Sequence, residues 1–557
     1  MALLAYVSAF LGAILVALTI AFRRRRRLGQ IRGPSGNFWW GHASGFARQT
    51  NVGDLDFQWN SEYGNAWRIG GVMGEDILML SDPKVDIAHD VAQHSPDHYD
   101  FLQALQHIFH KSGYHYPKHI EANTMSRVIT GRGILYAHGT SHQRHRKVMN
   151  PAFTAQQLRT FLPLFRRAST KMCQQWKDEV LADAPKGSTV MVNKWLARLT
   201  LDVIGEAAFD FEFGALDNAS NEVSQAYNDM FIDSVMHPSK WNTLFRASWK
   251  YLPTFVLDFV DYIPTREYKR FRHTTKVINK VSKQLIEEKT EALLSGGQTS
   301  KDVMSILVRA NVSENPKTRL NAEEMIAQMS TLTLAGHETT ANTLTWYLWE
   351  LAKHPEFQTK LREEIMAVRA NISTRGDSDL TIDDLDSMPL LQAGMKETLR
   401  YHSIVYHLLR TADQDDVIPL SSPIYTKKGQ MMTEIPIKAG QNILVSVCAY
   451  NRLTDVWGKD AHEWNPMRFL NDDSEKQVKI GVYSNLMSFS AGLRGCIGWR
   501  FSVIEMQAIM FDLVENFKFT LPEEKLEILR LPAGLMGPLI KEKPQEGLAM
   551  PLRIVPL

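Results

Sequence analysis

The hydrophobic and polar positions divide the chain into an apolar N-terminal run, long stretches of helical spacing and shorter strand-like stretches. Residues 2–22 are apolar and uncharged, and as a helix they would be about 31 Å long, enough to cross a bilayer. Arg23–Arg27 follow at once, which is the wrong order for a cleaved signal peptide and keeps the rest of the chain on the cytosolic side. Five adjacent arginines also argue against the alternative, a buried core helix.

Apolar residues recur at helical spacing in three stretches of the body. The pattern predicts an amphipathic helix over 276–294, a long central helix over about 322–351, and a helix over 499–517. Residues 67–80 combine apolar residues with glycines and are predicted to form short strands. The many aromatic residues between 227 and 262 are predicted mostly to pack in the core, with a membrane boundary as the alternative location.

The composition excludes several classes of protein. A hydrophobic content of 44% is ample for a large core, and a net charge of +2 gives no reason to expect nucleic-acid binding. Three scattered cysteines do not make a disulfide scaffold, and Cys173 and Cys448 are predicted to be ordinary thiols of the core or surface. His115 and His119 have the i,i+4 spacing of helical metal ligands, but Pro117 lies between them and no firm carboxylate pattern accompanies them.

Cys496, the third cysteine, lies in a glycine-rich turn that runs into the helix predicted over 499–517. The glycines permit tight or left-handed backbone, and the N-terminus of the helix favours thiolate over thiol. This cysteine could be a nucleophile with a distant histidine as base, a ligand of haem iron, or a buried structural residue. A zinc site would require further cysteines nearby, and the sequence has none there.

The segment Phe489-Ser-Ala-Gly492-Leu-Arg494-Gly-Cys496-Ile-Gly498 fits every fixed position of Phe-x-x-Gly-x-Arg-x-Cys-x-Gly. It therefore resembles the haem-binding signature of the cytochrome P450 family. The resemblance implies that Cys496 is the axial ligand of the iron of haem b, that Arg494 binds a haem propionate, and that Phe489 packs beside the sulfur. Gly492 is expected to belong to the cofactor-binding loop.

A second motif, Ala335-Gly336-His337-Glu338-Thr339-Thr340, lies within the predicted central helix. Gly336 is unfavourable in a helix interior by roughly 1 kcal/mol, and two small residues leave room for a ligand against the backbone. The Thr339 hydroxyl can bond the Ala335 carbonyl and open the helical ladder, and Glu338 can carry protons from solvent. The motif resembles the oxygen-activation motif of the family, which implies catalytic roles for Thr339 and Glu338 and places Gly336 beside the cofactor.

The segment Glu397-Thr-Leu-Arg400 places an acid and a base at i,i+3 on one helical face. On its own such a pair says little, because solvated helices often carry one. It resembles the Glu-x-x-Arg helix of the family, with Arg468 as third partner. The resemblance implies a cluster that serves folding and haem retention, not catalysis.

The basic segment 139–147 resembles the helix that supplies a tryptophan and an arginine to a haem propionate. Arg146 keeps the arginine, and His142 replaces the tryptophan with a ring that can still donate one hydrogen bond. A solvated helix face is the alternative interpretation of this segment. Arg410 lies where some members place another propionate-binding arginine.

The resemblance implies a fold that is mainly α with a small β-rich part, the cytochrome P450 fold, in one large domain preceded by the transmembrane helix. The expected boundaries are 1–22 for the anchor, 23–36 for a basic stop-transfer segment and hinge, and 37–557 for the catalytic domain. The expected type is the membrane-anchored, microsomal one of eukaryotes, fungi included. The domain would face the cytosol from the endoplasmic reticulum membrane.

The activity that the resemblance implies is the insertion of one oxygen atom of O2 into a lipophilic small molecule. Because the sequence contains no flavin or iron–sulfur segment, electrons are expected from NADPH through cytochrome P450 reductase, with cytochrome b5 as a second donor. Arg144 and Lys147 are candidate docking residues. The alternatives are a haem-thiolate isomerase or dehydratase, against which the intact motif around Thr339 argues, and a non-catalytic haem- or lipid-binding membrane protein.

Overall fold

A computed structural model describes residues 28–83, 104–218, 222–230, 239–295, 301–313, 315, 319–376, 379–470 and 480–557. The predicted anchor, residues 1–22, lies outside the described residues. None of the helices that are described is long and apolar enough to span a bilayer.

The described part of the chain is mainly helical. Its α-helices, numbered in chain order, are α1 Ala43–Phe46, α2 Asp54–Tyr63, α3 Ala104–Gln106, α4 Ile120–Thr130, α5 Gly139–Met149, α6 Ala155–Arg159, α7 Leu162–Gln175, α8 Val192–Phe209, α9 Glu222–Met230, α10 Lys240–Ser248, α11 Thr254–Leu257, α12 Arg266–Leu294, α13 Val303–Ser313, α14 Ala322–Lys353, α15 Pro355–Arg375, α16 Ile382–Asp386, α17 Pro389–Tyr401, α18 Val447–Tyr450, α19 Thr454–Trp457 and α20 Trp499–Asn516.

The strands form small sheets. They are β1 Ala66–Gly70, β2 Asp76–Leu80, β3 Ser188–Met191, β4 His407–Thr411, β5 Asp416–Tyr425, β6 Met431–Ile437, β7 Asn442–Ser446, β8 Gly481–Tyr483, β9 Leu486–Ala491, β10 Phe517–Thr520, β11 Ile528–Ala533, β12 Leu535–Ile540 and β13 Pro551–Pro556. The largest sheet has the order β1-β2-β7-β4, in which β2 and β7 run parallel and the other pairs antiparallel. A second sheet has the order β10-β13-β3, and β5-β6, β8-β9 and β11-β12 pair as hairpins.

Helix α14 runs through the core, and helices α8, α12, α17 and α20 pack around it. It is buried on nearly all sides, and its buried residues include polar ones such as Gln328 and Thr345 as well as apolar ones such as Leu344. Its start is fixed by a capping box: Asn321 Oδ1 accepts from the Glu324 N–H at 2.8 Å, and Glu324 Oε2 accepts from the Asn321 N–H at 2.9 Å. The core therefore forms around the helix that carries the second motif.

The main elements predicted from hydrophobic spacing are confirmed. Helices α14 and α20 match the predicted stretches 322–351 and 499–517 to within two residues, and α12 ends at 294 as predicted but begins ten residues earlier, at Arg266. Strands β1 and β2 lie within 67–80 apart from one residue. These are the segments with the most regular apolar spacing, for which local pattern and tertiary packing agree.

The described part of the predicted hinge, residues 28–36, is docked on the largest sheet. Leu28 and Ile31 are buried, and the Arg68 N–H of β1 donates to the Arg32 carbonyl at 2.9 Å. At Gly33 a Cβ atom would stand 1.8 Å from the Arg68 carbonyl oxygen. Backbone contact of this kind holds the segment against the domain from residue 28 onward.

The prediction that most aromatic residues between 227 and 262 pack in the core was wrong for the part that is described. Tyr227 and Trp249 are buried. The exposed ones are Trp241, Phe245, Tyr251, Phe255, Phe259 and Tyr262. Helices α10 and α11 are short surface helices that rest on the domain with one side only, so aromatic side chains on the other side face outward. Phe231 lies outside the described residues.

Candidate active site

Cys496 lies in a loop between β9 and α20 that is tightly held. Its N–H donates to the Phe489 carbonyl at 2.9 Å. Gly492 has a φ of +60°, and a Cβ atom there would stand 1.7 Å from the Phe109 carbonyl oxygen, so only glycine fits. The Gly498 N–H, just before α20, donates to the sulfur. The loop backbone therefore fixes the position of the thiol.

The Cys496 side chain is solvent-accessible, although it lies deep within the protein. Such a side chain borders an internal space. Burial raises the pKa of the Cys496 thiol, whereas the Gly498 N–H and the positive charge of Arg146 act in the opposite direction. The helix N-terminus alone thus does not produce the thiolate expected from the sequence. A metal ion would, because it deprotonates a ligating thiol outright.

Helix α14 carries a small accessible face in the middle of its buried length. Ala335 is exposed and Leu334, Glu338 and Thr339 are half-buried, while the residues on the other faces are buried. Residues 335 and 339 lie one turn apart on the same side of the helix. Because α14 runs through the core, this face also borders an internal space.

Thr339 makes the hydrogen bond predicted for it: its Oγ1 donates to the Ala335 carbonyl at 2.7 Å. The predicted opening of the helical ladder does not occur, because α14 is continuous from Ala322 to Lys353. A hydroxyl that bonds back to the preceding turn is compatible with an intact helix.

Glu338 lies next to a second titratable side chain. Its Oε1 is 3.4 Å from Nε2 of His337, a buried residue whose Nδ1 donates to the Thr333 carbonyl at 2.5 Å. Asn342 Nδ2 donates to the Glu338 carbonyl at 2.8 Å. The half-buried carboxylate can therefore exchange protons with His337 and with solvent.

The structure brings Arg146, Arg410 and Arg494 together with Lys118, which sequence reasoning missed. Burial lowers the pKa of Arg410 to about 10, and the charge of Arg494 adds to this. Burial lowers the pKa of Lys118 to about 7, with further contributions from Arg410 and Arg494. The four side chains donate to the carbonyls of Gly495, Leu409, Ala137 and Leu135, respectively.

None of these four cations forms an ion pair with a carboxylate among the residues that the structure describes. Burying positive charges without compensation is costly. The cluster is therefore suited to an anionic ligand with more than one negative charge.

His142 lies at the edge of this cluster. It is buried, and burial together with Arg494 and Arg146 lowers its pKa to about 3, so the ring is neutral. Its Nδ1 is 2.9 Å from the Tyr114 hydroxyl. When that hydroxyl donates to Nδ1, the Nε2 proton is left for a ligand, as the sequence analysis expects of a tryptophan replacement.

Glu397, Arg400 and Arg468 meet in a buried cluster. Arg400 donates two hydrogen bonds of 2.7 Å to the Glu397 carboxylate, and Arg468 Nε lies 3.1 and 3.2 Å from its two oxygens. Arg400 also donates to three backbone carbonyls of residues 451–463. The cluster ties helix α17 to the segment that precedes the cysteine loop.

Two residues have surroundings that the sequence did not indicate. A Cβ atom at Gly336 would stand 2.7 Å from Ile204 Cδ1, so its close approach is to helix α8. Arg144, predicted to dock a redox partner, donates to the Glu324 carboxylate at 3.1 Å and to the Arg319 carbonyl at 2.6 Å. These contacts occupy the guanidinium within the domain.

Residues 31–544 match the family model described as Cytochrome P450. The chain belongs to the cytochrome P450 family. Cytochrome P450 monooxygenase 205 of Postia placenta is 32% identical over 98% of this chain and 95% of its own length. Cytochrome P450 monooxygenase claQ of Ampulloclitocybe clavipes is 30% identical over 95% of this chain and 94% of its own. The fold is thus the cytochrome P450 fold in one large domain, and the protein is an enzyme of this class with haem b as cofactor.

The residues described above fit haem b. Its two propionates would supply the negative charges that the cluster of Lys118, Arg146, Arg410 and Arg494 lacks among the described residues. Its iron takes a thiolate ligand, and Cys496 is the described cysteine whose sulfur borders an internal space, since Cys173 and Cys448 are buried in protein.

Lys118 and Tyr114 carried no signal in the sequence. Lys118 follows Pro117 in a loop, and two of its three partners in the cluster, Arg410 and Arg494, are about 290 and 380 positions away along the chain. The backbone bridge between Lys118 and Arg410 brings that loop to β4. Only the folded backbone places these side chains together.

Proposed function

We propose that the enzyme is a membrane-anchored haem-thiolate monooxygenase that inserts one oxygen atom of O2 into a lipophilic small molecule. The observation that carries the proposal is the arrangement of a cavity-facing thiol, Cys496, beside four cations, one buried and three partly buried, that form no ion pair with a carboxylate in the described chain. The bound haem supplies the iron at which O2 is activated. Cys496 holds that iron, and Lys118, Arg146, Arg410 and Arg494 hold the propionates.

Thr339 and Glu338 are proposed to position and transfer protons on the side of α14 that faces the internal space. Thr339 Oγ1 keeps its own proton on the Ala335 carbonyl and leaves its lone pairs free to orient a water molecule or the substrate. Glu338 receives protons from solvent or from His337 and passes them along that face. The side chain of Ala335 is only a methyl group, which leaves room for a ligand there.

A cavity of 990 Å³ is proposed as a route for small molecules. It lies between the start of α4, the segment that contains α11, and the edges of β2 and β7. Lys118 and His138 line it and also border Arg494, so it reaches the propionate-binding cluster. Its volume suits a drug-sized ligand.

The exposed aromatic residues around α10 and α11 are proposed to rest in the membrane interface. Trp40 stacks edge-on against Trp241 at 6.1 Å between ring centroids, so the N-terminal segment and this surface lie on the same side of the domain. Aromatic side chains favour the boundary between lipid and water. An anchor over residues 1–22 would therefore bring this surface to the endoplasmic reticulum membrane.

The electron donor is proposed to be NADPH–cytochrome P450 reductase of the same membrane, with cytochrome b5 as an accessory donor. The test uses the full-length enzyme in vesicles with this reductase and a panel of lipophilic compounds. Compounds that shift the haem absorption spectrum should be oxidised only when NADPH, reductase and O2 are all present. Turnover without NADPH would contradict the proposal and favour an isomerase.

A further inference from the structure

A cluster of three metal-ligating side chains in the described chain shares no residue with the haem-binding set named above. One carboxylate oxygen of Asp56, one ring nitrogen of His407 and the sulfur of Cys448 all lie within 4.8 Å of one another. Asp56 belongs to α2, His407 begins β4, and Cys448 lies in α18 just after β7. The pairing of His407 with Ser446 across β4 and β7 brings the histidine beside the cysteine.

The Asp56 carboxylate is fully buried, with 0% exposure, and only one of its oxygens is satisfied. Oδ1 accepts from the Ser446 hydroxyl at 2.6 Å and lies 2.7 Å from His407 Nε2. Oδ2 has no hydrogen-bond partner. A buried carboxylate oxygen without a partner costs free energy unless a cation or a donor reaches it.

Two hydrogen-bond donors lie next to the Cys448 sulfur. The Ser446 hydroxyl lies 3.4 Å from the sulfur, and the Ala449 N–H also donates to it. Burial and the neighbouring Asp56 carboxylate raise the pKa of the thiol well above its usual value, so without a metal ion the sulfur is protonated. A thiol in such a place becomes a thiolate when a metal ion replaces its proton.

We propose that Asp56, His407 and Cys448 bind one Zn²⁺ ion. Carboxylate, imidazole and thiolate are the three ligand types that zinc takes in proteins. One thiolate and one carboxylate neutralise the two charges of the ion, which suits a buried site. Zinc binding would break the hydrogen bond between His407 Nε2 and Asp56 Oδ1, because Nε2 would then bind the ion, and the carboxylate would bind it through Oδ2.

The His407 side chain is 13% exposed, so solvent can reach the ion from that side. A water molecule there would be the fourth ligand. The Ser446 hydroxyl, which bonds Asp56 Oδ1, would orient the carboxylate so that Oδ2 faces the metal. The site would fasten α2 to the largest sheet through residues about 350 positions apart in the chain. It is independent of the haem chemistry proposed above.

The test measures zinc in untagged, haem-loaded, full-length protein. After equilibration with Zn²⁺ and gel filtration, zinc should be equimolar with haem iron. X-ray absorption at the zinc edge, which haem iron does not disturb, should show one sulfur neighbour at about 2.3 Å and nitrogen or oxygen neighbours at about 2.0–2.2 Å.

The substitutions Cys448→Ser and His407→Gln should each weaken zinc binding at least about tenfold. Cys173→Ser is the matched control, because Cys173 is also a buried free thiol, and it should bind zinc like the unchanged protein. If Cys448→Ser fails to fold, judged by the haem spectrum, His407→Gln decides the comparison, since that side chain is partly exposed. Protein without bound zinc, zinc without a sulfur neighbour, or equal binding by His407→Gln would each overturn the proposal.

Discussion

Thr339 differs in exposure, not in hydrogen bonding, from three other threonines of α14. Thr333, Thr343 and Thr345 each donate to the carbonyl four residues earlier, as Thr339 does, but all three are buried. Of these four threonines, only Thr339 is partly exposed. We therefore expect the chemical role only of Thr339, because the hydrogen bond to the preceding turn is common to all four threonines and belongs to the helix.

Thr339→Ala should separate product formation from electron use. Substrate binding and iron reduction do not need the hydroxyl, whereas proton placement does. We expect product per NADPH to fall by about tenfold or more, with hydrogen peroxide rising to match. Thr343→Ala, which removes the same kind of hydrogen bond one turn further on, should leave the ratio of product to NADPH unchanged. A uniform loss of rate with unchanged coupling in Thr339→Ala would point to packing instead.

The charge of Lys118 is expected to destabilise the haem-free protein and to stabilise the binding of haem. Burial, with Arg410 and Arg494, lowers the pKa of Lys118 from 10.5 to about 7. Between these values the unfolded chain binds a proton that the folded haem-free chain does not. The haem-free protein therefore loses stability as the pH falls from 10.5 to about 7, and the loss is complete below that.

Lys118→Met should remove this pH-dependent loss, so that denaturant unfolding of the haem-free protein changes less between pH 9 and pH 6.5. In the haem-bound protein the same change removes a charge-assisted bond to a propionate, and haem should dissociate about tenfold faster or more. Lys541→Met, on an exposed side chain paired with Glu527, is the control for both measurements. An unchanged rate of haem dissociation would show that Lys118 does not bind a propionate.

At the scale of elements, the cysteine loop depends on the close approach of two backbones. Gly492 and Gly429 both have positive φ, of +60° and +77°, so alanine costs either of them about 1–2 kcal/mol of strain. At Gly429 nothing lies within 4 Å of an added Cβ, whereas at Gly492 the Phe109 carbonyl oxygen lies 1.7 Å from it. The clash is with backbone and cannot be relieved by a side-chain rotation.

Gly492→Ala should therefore reduce haem incorporation sharply, while Gly429→Ala should incorporate haem normally with a slightly lower melting temperature. Haem content per chain, measured by absorbance against protein concentration, distinguishes the two. Equal haem content in both variants would mean that the cysteine loop can shift away from the Phe109 backbone.

Sequence reasoning succeeded for elements whose signal is local. The spacing of apolar residues predicted α14 and α20, and the order of fixed residues predicted the loop of Cys496 and the meeting of Glu397, Arg400 and Arg468. It failed where the outcome depends on which side of an element faces the domain, as for Phe255 and Phe259. It also missed contacts between distant segments, such as Lys118 with Arg494.

Metal-ligating side chains, too, come together only through the fold. Histidine spacing drew attention to His115 and His119, but His115 Nδ1 lies 3.1 Å from the Asp413 carboxylate and His119 caps helix α4. The cluster of Asp56, His407 and Cys448 comes from three elements that only the sheet brings together. No local pattern marks such a set.

At the scale of the whole molecule, two separate features should hold the protein to the membrane. Removing residues 2–27 should convert it from integral to weakly bound, with haem retained, because the exposed aromatic surface remains. Changing Phe255 and Phe259 to serine in the truncated protein should lower its affinity for vesicles by about tenfold. Vesicle flotation and extraction with alkaline carbonate measure both effects. A truncated protein that stays fully integral would place the anchor elsewhere.

The central claim is that Cys496 is the thiolate ligand of the haem iron. The most direct test is the spectrum of the reduced enzyme with carbon monoxide, because its red-shifted band requires a thiolate ligand. Cys496→Ala should lose this band and all monooxygenation, while Cys173→Ser and Cys448→Ser should keep the band. A Cys496→Ala protein that keeps the red-shifted band would contradict the claim.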